Sequence, residues 1–367
     1  MPDSTDARYM KQAIRLARRG RGLTSPNPMV GALVVKGGLV LGEGYHHAAG
    51  KPHAEVLALT QAGKRAKGAT LYTNLEPCCH TEKRTPPCTD TIIQSGIRRV
   101  VAAIKDPNPQ VSGKGFDRLL WAGIEVVEGL CAEDADALNV AYIKHAQTGH
   151  PWVTLKAAMT LDGRIATASG ESQWISGKRA RLEVDRLRAY ADAVLVGIGT
   201  VEADNPMLTL RQLKGKNPLR IVIDPQLKIS NKAHLATTLS TAPTLIFTTV
   251  KAPSKKIKQL QEQGLKVVVL SMQKGLIPFE AILDDLGKRG IMNLLIEGGG
   301  AVNGIALRAK GVDRVIFYIA PKMLCGDDAV SVVSGKAIKL LADALVLDEI
   351  KLRPLGEDIR VEGRIRK

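Results

Sequence analysis

At 367 residues the chain is too long for one ordinary core, and about two domains are expected. Hydrophobic residues at 45% and charged residues at 24% exclude a disordered or fibrous chain, and no window approaches the roughly 18 uninterrupted apolar residues of a membrane span. The formal net charge of +16 points to an anionic partner, whether nucleic acid, membrane surface or phosphorylated small molecules; aromatic residues at 4% are few for base-stacking platforms and lower the nucleic-acid reading, and a solvated basic surface accounts for most of the scattered lysines and arginines. Neither a nucleic-acid nor a membrane partner is expected.

The first elements alternate between helix and strand. Asp6 is the expected N-cap of a helix in which Tyr9, Met10, Ala13, Ile14 and Ala17 recur at helical spacing before Gly20. Ser25-Pro26-Asn27-Pro28 reads as a stiff loop, and Val30–Val35 with Leu39–Gly44 as a hairpin turning at Gly37-Gly38. A helix follows over His53–Ala62, closed by Gly63, then a strand over Ala69–Leu75. Cys88–Ile93, about Gly115–Trp121 and about Cys131–Thr148 read as helices, with strands at Val100–Ile104 and Ile124–Val127. This alternation implies an α/β/α sandwich over residues 1–147.

His53-Ala54-Glu55, Pro77-Cys78 and Cys88 form the chemical signal of this half. One histidine and two cysteines give three ligands to zinc and leave the fourth tetrahedral position open, as in catalytic rather than structural sites. Glu55 is not needed as a ligand and can carry protons beside the open position. The order matches the zinc deaminase signature H-x-E followed by P-C-x-x-C, except that the last position falls on Thr81 and the next cysteine after Cys79 is Cys88. Cys79 and His80 are competing ligands; Cys78 is favoured because proline precedes it. Helix N-termini favour thiolate, which suits the cysteine positions. Five cysteines without a secretory leader argue for a reduced, cytoplasmic protein, with Cys131 and Cys325 as buried fillers.

Thr148-Gly149-His150-Pro151 is the expected linker. Beyond it, strands are expected at Trp152–Ala158, Ala193–Val196, Leu219–Ile223, Thr244–Thr248, Val267–Leu270, Asn293–Ile296 and Val315–Ile319. Gly163 turns the chain after the first of these. Ser176 is expected to cap a helix through about Tyr190, with Leu182, Leu187 and Tyr190 inward; further helices lie near 255–263, 279–289 and 301–310. The tail, Leu345–Leu352 and Ile359–Ile365, alternates like a hairpin. Glu297-Gly298-Gly299-Gly300, between a strand and a helix, is either a phosphate cradle or a plain sharp turn. The run is not the dinucleotide fingerprint, and no such motif follows the first strand of this half.

Taken together, Pro26-Asn27-Pro28, Gly42-Glu43-Gly44-Tyr45-His46, His53-Ala54-Glu55, Glu76-Pro77-Cys78, Arg84-Thr85-Pro86-Pro87-Cys88 and Asp106-Pro107-Asn108-Pro109 resemble the bacterial bifunctional deaminase/reductases of riboflavin biosynthesis. Thr81-Glu82-Lys83 makes the loop between the ligands one residue longer than the family pattern. In the second half Lys156–Gly163, Gly170–Ile175, Gly197–Thr200, Asp204-Asn205-Pro206 with Leu208–Arg211, and Glu297–Gly300 are similar to the reductase of the same family. The resemblance implies a cytidine-deaminase-like α/β/α sandwich over 1–147 and a dihydrofolate-reductase-like α/β domain over 151–367. It implies Zn2+ on His53, Cys78 and Cys88, Glu55 as proton carrier, and NADPH as second cofactor. It carries cofactor contacts to Ala158, Trp174, Thr200, Asp204 and the run Gly299, Gly300, Ala301, Val302, Asn303 and Gly304. It carries substrate contacts to Ser172, Arg188, Leu208, Arg211 and Glu297, with Lys156 and Asp204 shaping the hydride-transfer site. Leu208 could equally be plain core and Arg188 a plain helix-face charge. The implied substrate is a phosphorylated ribosylaminopyrimidine, and a homo-oligomer is expected.

Overall fold

A computed structural model describes residues 4–79 and 87–366. His80, the Thr81–Lys83 insertion and Arg84-Thr85-Pro86 lie outside the described residues. The chain forms two compact units, Met1–Gly149 and His150–Lys367. No helix among the described residues is long and apolar enough to cross a membrane.

The first unit carries a five-stranded sheet. Its strands are β1 (Gly31–Lys36), β2 (Leu39–Tyr45), β3 (Thr70–Thr73), β4 (Arg99–Ala102) and β5 (Glu125–Glu128), in the order β2-β1-β3-β4-β5. β1 runs antiparallel to both neighbours, while β3, β4 and β5 are parallel. The helices are α1 (Ser4–Ala17), α2 (Ala54–Ala62), α3 (Cys88–Gln94), α4 (Lys114–Trp121) and α5 (Ala132–Thr148). Alternate positions of the first hairpin meet α1 on one face and α2 on the other: a Cβ at Gly31 would strike Ala13 O, and one at Gly42 would stand 2.1 Å from Ala58 O. Glycine thus brings α2, whose start bears His53 and Glu55, close to the sheet. Asp6 is not the cap. It lies inside α1, where its carboxylate accepts from Tyr72 Oη and from two nitrogens of Arg99.

The second unit carries a nine-stranded sheet. In chain order its strands are β6 (Trp152–Thr160), β8 (Ala193–Gly197), β9 (Leu219–Ile223), β10 (Thr244–Thr249), β11 (Lys266–Leu270), β12 (Asn293–Ile296), β13 (Arg314–Ala320), β15 (Leu347–Leu355) and β16 (Asp358–Ile365). The order is β11-β10-β9-β8-β12-β6-β13-β16-β15, parallel from β11 to β13, with the terminal hairpin antiparallel at one edge. Short strands β7 (Arg164–Ala166) and β14 (Val330–Ser331) pair separately. Helices α6 (Lys178–Tyr190), α7 (Ile198–Asp204), α8 (His234–Thr237), α9 (Ser254–Glu262), α10 (Phe279–Lys288) and α11 (Gly300–Arg308) connect them. Apolar side chains on the two faces of the parallel strands form separate clusters, one around Leu155, Leu195 and Leu294, the other around Val194, Val222 and Ile246.

Two expectations for α6 fail. Its N-cap is Gly177 rather than Ser176, and the Gly177 N–H donates to Asp358 Oδ2 on β16. Its fully inward residues are Ala180, Val184, Asp185 and Arg188, while Tyr190 is exposed. Leu187 packs inward as expected, against two apolar clusters, while Asp185 and Arg188 share the buried face with Ala180 and Val184. Cys325 is exposed rather than buried, and Cys131 is half-buried at a left-handed turn before α5.

Candidate active sites

His53 occupies the N-cap of α2 in extended backbone, so its ring turns away from the helix axis. Glu55 lies one residue inside the helix and is 3% exposed. The non-helical cap lets two residues of alternate position reach one pocket. Cys78 follows β3 through the Leu75-Glu76-Pro77 turn, and Cys88 opens α3. The Cys88 N–H donates to Cys78 Sγ at 3.5 Å. His53 Nδ1 stands 3.1 Å from Cys88 Sγ and 3.5 Å from Cys78 Sγ. Bond lengths of about 2.3 Å to sulfur and 2.0 Å to nitrogen put tetrahedral zinc ligands roughly 3.5–3.8 Å apart, so only small movements separate this trio from a coordinating set. Among the described residues these are the three His, Cys or carboxylate groups whose donor atoms converge; Cys79 is not part of the group.

The surroundings fit a metal and its proton carrier. Burial pushes the Glu55 carboxyl above its ordinary range, against the pull of His53. Among the described residues its buried Oε2 has no hydrogen-bond partner. A hydrogen bond from the Cys88 thiol draws Cys78 down to about 3, and the same bond pushes Cys88 up. Close by, His46 Nδ1 faces Pro52 O at 3.2 Å. A carbonyl only accepts, so Nδ1 carries the proton and Nε2 accepts from Asn27 Nδ2 at 3.1 Å. Glu76, between strand and ligand turn, is 2% exposed and accepts four backbone N–H groups, those of Asp106, Gly113, Gly115 and Phe116. The sequence displayed Glu76 only as a neighbour of Pro77; its function as a clasp depends on a segment thirty residues and more downstream.

In the second unit a cleft of about 460 Å³ opens at the C-terminal ends of β8 and β12, beside β6. Open parallel sheets place ligand sites at such strand ends. The register explains the central contact. Ile296 pairs with both Leu155 and Leu195, so Glu297 emerges beside Lys156. Glu297 Oε2 lies 3.7 Å from Lys156 Nζ. Arg188 donates to the same carboxylate through Nε at 2.6 Å and Nη2 at 3.0 Å, and through Nη1 to Thr209 O. Burial alone would raise the Glu297 pKa, but Arg188 and Lys156 hold it at about 2. Burial lowers that of Lys156 in turn. Arg188 is therefore a buried ion-pair partner and not a surface charge.

Lys156, Ala158, Ser172, Trp174, Arg188, Thr200, Asp204, Leu208, Arg211, Glu297 and Gly299 all line this cleft. Ser172 Oγ donates to Asp204 Oδ1 at 2.9 Å. The guanidinium groups of Arg181 and Arg211 lie over the Trp174 ring at 4.6 and 5.5 Å from its centroid. Leu208 has both characters: it lines the cleft and belongs to the core, with a left-handed backbone.

The glycine-rich run divides. Gly298 and Gly299 line the cleft. Gly300, Val302, Asn303 and Gly304 are buried, and Ala301 is exposed outside the lining. A Cβ at Gly300 would stand 2.3 Å from Ser331 O and one at Gly304 2.0 Å from Ser334 O; Asn303 Nδ2 donates to Val332 O. These faces are filled by the protein's own 331–334 segment. What the run can offer a ligand is the N–H groups at the start of α11. Asp185 and Arg181 were missed by sequence reasoning, since a helical face of mixed charge carries no distinguishing signal.

The family model for the cytidine and deoxycytidylate deaminase zinc-binding region matches residues 3–104, and that for the RibD C-terminal domain matches residues 151–361. The riboflavin biosynthesis protein RibD of Aquifex aeolicus is 46% identical, over 96% of this chain and 97% of that protein. The solved structure of Acinetobacter baumannii RibD superimposes with a TM-score of 0.90 at 38% identity, covering 99% of each chain. A Thermotoga maritima structure described as a diaminohydroxyphosphoribosylaminopyrimidine deaminase/5-amino-6-(5-phosphoribosylamino)uracil reductase superimposes at 0.87 with 36% identity, again covering 99% of each. With matches that run through both units, and a reductase domain that implies a nicotinamide cofactor, the chain belongs to the RibD family, the bifunctional zinc-dependent deaminase/reductases of riboflavin biosynthesis.

Proposed function

We propose that the first unit deaminates 2,5-diamino-6-ribosylamino-4(3H)-pyrimidinone 5′-phosphate, and that the second reduces the ribosyl group of the product with NADPH to give 5-amino-6-ribitylaminouracil 5′-phosphate. The observation that carries this reading is the meeting of His53, Cys78 and Cys88 beside a buried carboxylate oxygen that has no partner among the described residues.

His53 Nδ1 and the two sulfurs are assigned to zinc, which when bound supplies Lewis acidity that makes water nucleophilic near neutral pH. Glu55 takes a proton from the attacking water and returns it to the amine nitrogen, which leaves as ammonia. Its burial suits that shuttle, because raising the carboxyl's pKa makes the carboxylate a better proton acceptor. In the second unit Ala158, Trp174, Thr200 and Asp204 are assigned to the cofactor, together with the backbone N–H groups of the run Gly299–Gly304. NADPH supplies the hydride for C1′. Ser172, Leu208 and Arg211 are assigned to the substrate, with Arg211 on its phosphate. Arg188 and Glu297 set the floor of that pocket. Lys156 holds a proton at Nζ beside the ribose oxygen that becomes a hydroxyl as the ring opens.

The test is an incubation of the diaminopyrimidine phosphate with NADPH, with NADH and with neither, following ammonia and the nicotinamide absorbance. Ammonia appears in all three, and absorbance falls faster with NADPH. Glu55→Gln keeps zinc by elemental analysis, loses ammonia release, and still reduces the deaminated compound supplied directly. Near-parent deamination by that variant removes the role given to Glu55.

A further inference from the structure

Arg211 sits on a segment with no strand or helix of its own, yet its backbone is held at almost every step. Asp185, 3% exposed on the inward face of α6, accepts the Arg211 N–H on Oδ1 at 2.8 Å. Its Oδ2 accepts the N–H groups of Gln212 at 2.8 Å and Leu213 at 2.9 Å. Three consecutive N–H groups converging on one carboxylate form an anion nest, here filled by the protein's own side chain. One residue earlier, Leu210 N–H donates to Asn217 Oδ1 at 2.9 Å. One helical turn along α6, Arg188 Nη1 donates to Thr209 O at 3.0 Å. Asp185 and Arg188 thus grip the two ends of the same short segment, one by its N–H groups and the other by a carbonyl.

The guanidinium carried by this segment is exposed and lies over the Trp174 ring. No carboxylate among the described residues lies within ion-pair distance of Arg211, since Glu297 is taken by Arg188 and Lys156. Partial desolvation and the neighbouring Arg188 disfavour its charge, more than the distant pull of Glu297 and Asp185 favours it. Such a group gains most from an incoming anion, provided the chain does not have to be ordered on binding.

We propose that Asp185 is a positioning residue of the reductase, fixing the 211–213 backbone so that Arg211 stands ready in the cleft for the substrate's phosphate. The inference rests on the reading of this cleft as the reductase site. Asp185 belongs to the cleft wall, but both its oxygens are taken by backbone N–H groups, so its assigned action is through Arg211.

The experiment is steady-state kinetics of the full-length protein carrying Asp185→Asn, with the deaminated phosphosugar substrate and with its dephosphorylated counterpart. Asparagine keeps one acceptor oxygen and turns an NH2 group toward the remaining N–H donors. The KM for the phosphorylated compound rises about tenfold or more while kcat stays within about twofold, as expected when ground-state binding alone is lost. The KM for the dephosphorylated compound and the rate of ammonia release by the other unit do not change. Arg211→Met gives the same split, and adding Asp185→Asn to it costs nothing further. Unchanged KM, equal rises for both compounds, or additive effects of the two substitutions would each overturn the proposal. Should Asp185→Asn fail to fold by circular dichroism, Asp185→Glu is read by the same ratio of KM values. If the cleft reading were wrong instead, the parent protein would consume no NADPH with either compound.

Discussion

Glu76→Ala tests how the deaminase unit holds its metal turn. The carboxylate accepts N–H groups from Asp106 at 3.0 Å and Gly113 at 2.9 Å on Oε2, and from Gly115 at 2.9 Å and Phe116 at 3.3 Å on Oε1. Hydrogen bonds to a charged group contribute roughly 1.5–3 kcal/mol each, and bonds sharing one acceptor are not additive, so we take about 4 kcal/mol for the set. A unit of this size loses about 2–4 °C of melting temperature per kcal/mol, which predicts a drop of about 10 °C. Glu76→Gln keeps one acceptor oxygen and falls about half as far. The assay is scanning calorimetry of the full-length protein in saturating zinc, with reductase turnover at moderate temperature as the control for the other unit. Because Cys78 lies two residues beyond, competition with a chelator also shows weaker zinc retention. A melting temperature within about 2 °C of the parent for Glu76→Ala would refute the reasoning, as would a glutamine variant that falls as far as alanine.

Two further predictions concern the second unit. Glu297 is held at about 2 against an ordinary 4.5, so as pH falls the unfolded chain takes up the proton first. Its contribution is complete above about pH 4.5 and is lost as pH falls toward 2, by up to about 3 kcal/mol. Urea midpoints measured from pH 6 to pH 2.5 therefore decline less steeply for Glu297→Gln than for the parent; equal slopes contradict the assignment. Gly304→Ala places a Cβ 2.0 Å from Ser334 O, where both partners are backbone. A loss of about 2 kcal/mol in urea stability and faster proteolysis within 331–335 are expected, and an unchanged midpoint would mean that the segment does not press on α11.

The convergence of His53, Cys78 and Cys88 was legible because its chemistry is written in residue types and order. His-x-Glu ahead of Pro-Cys leaves few alternatives, and an N-cap geometry resolved how His53 and Glu55 share a pocket. The strands were legible because parallel strands buried on both faces read as unbroken apolar runs. Helix α6 was misread for the opposite reason. Apolar spacing placed Leu187 correctly but also pointed to Tyr190, which is exposed, whereas the buried positions include Asp185 and Arg188, which are paid for by partners at Thr209, Arg211 and Glu297. Its cap failed likewise: Asp358 reaches Gly177 from the last strand, so the nearest serine was a local signal without effect. Burial of Gly300 and Gly304 against 331–334 was invisible too, since a glycine that admits a ligand and one that admits another stretch of chain look alike in sequence.

Carboxylates recur as the anchors of this protein's loops. Glu76 and Asp185 each collect three or more backbone N–H groups, Asp224 holds those of Lys228 and Ile229, and Asp192 those of Met292 and Asn293. A carboxylate is compact and offers about four lone-pair sites, so one side chain can order several residues; lysine and arginine have long stems and keep their charge at the surface. Burial follows that asymmetry. Asp6, Glu55, Glu76, Asp106, Asp185, Asp224, Asp313 and Asp358 are buried, while Arg188 and Arg220 are the buried cations among the described residues. Turning acids inward leaves the surface more basic than composition alone implies. Such a surface attracts anions in general and selects none, so on the proposal made for Asp185 selection falls to placed cations such as Arg211.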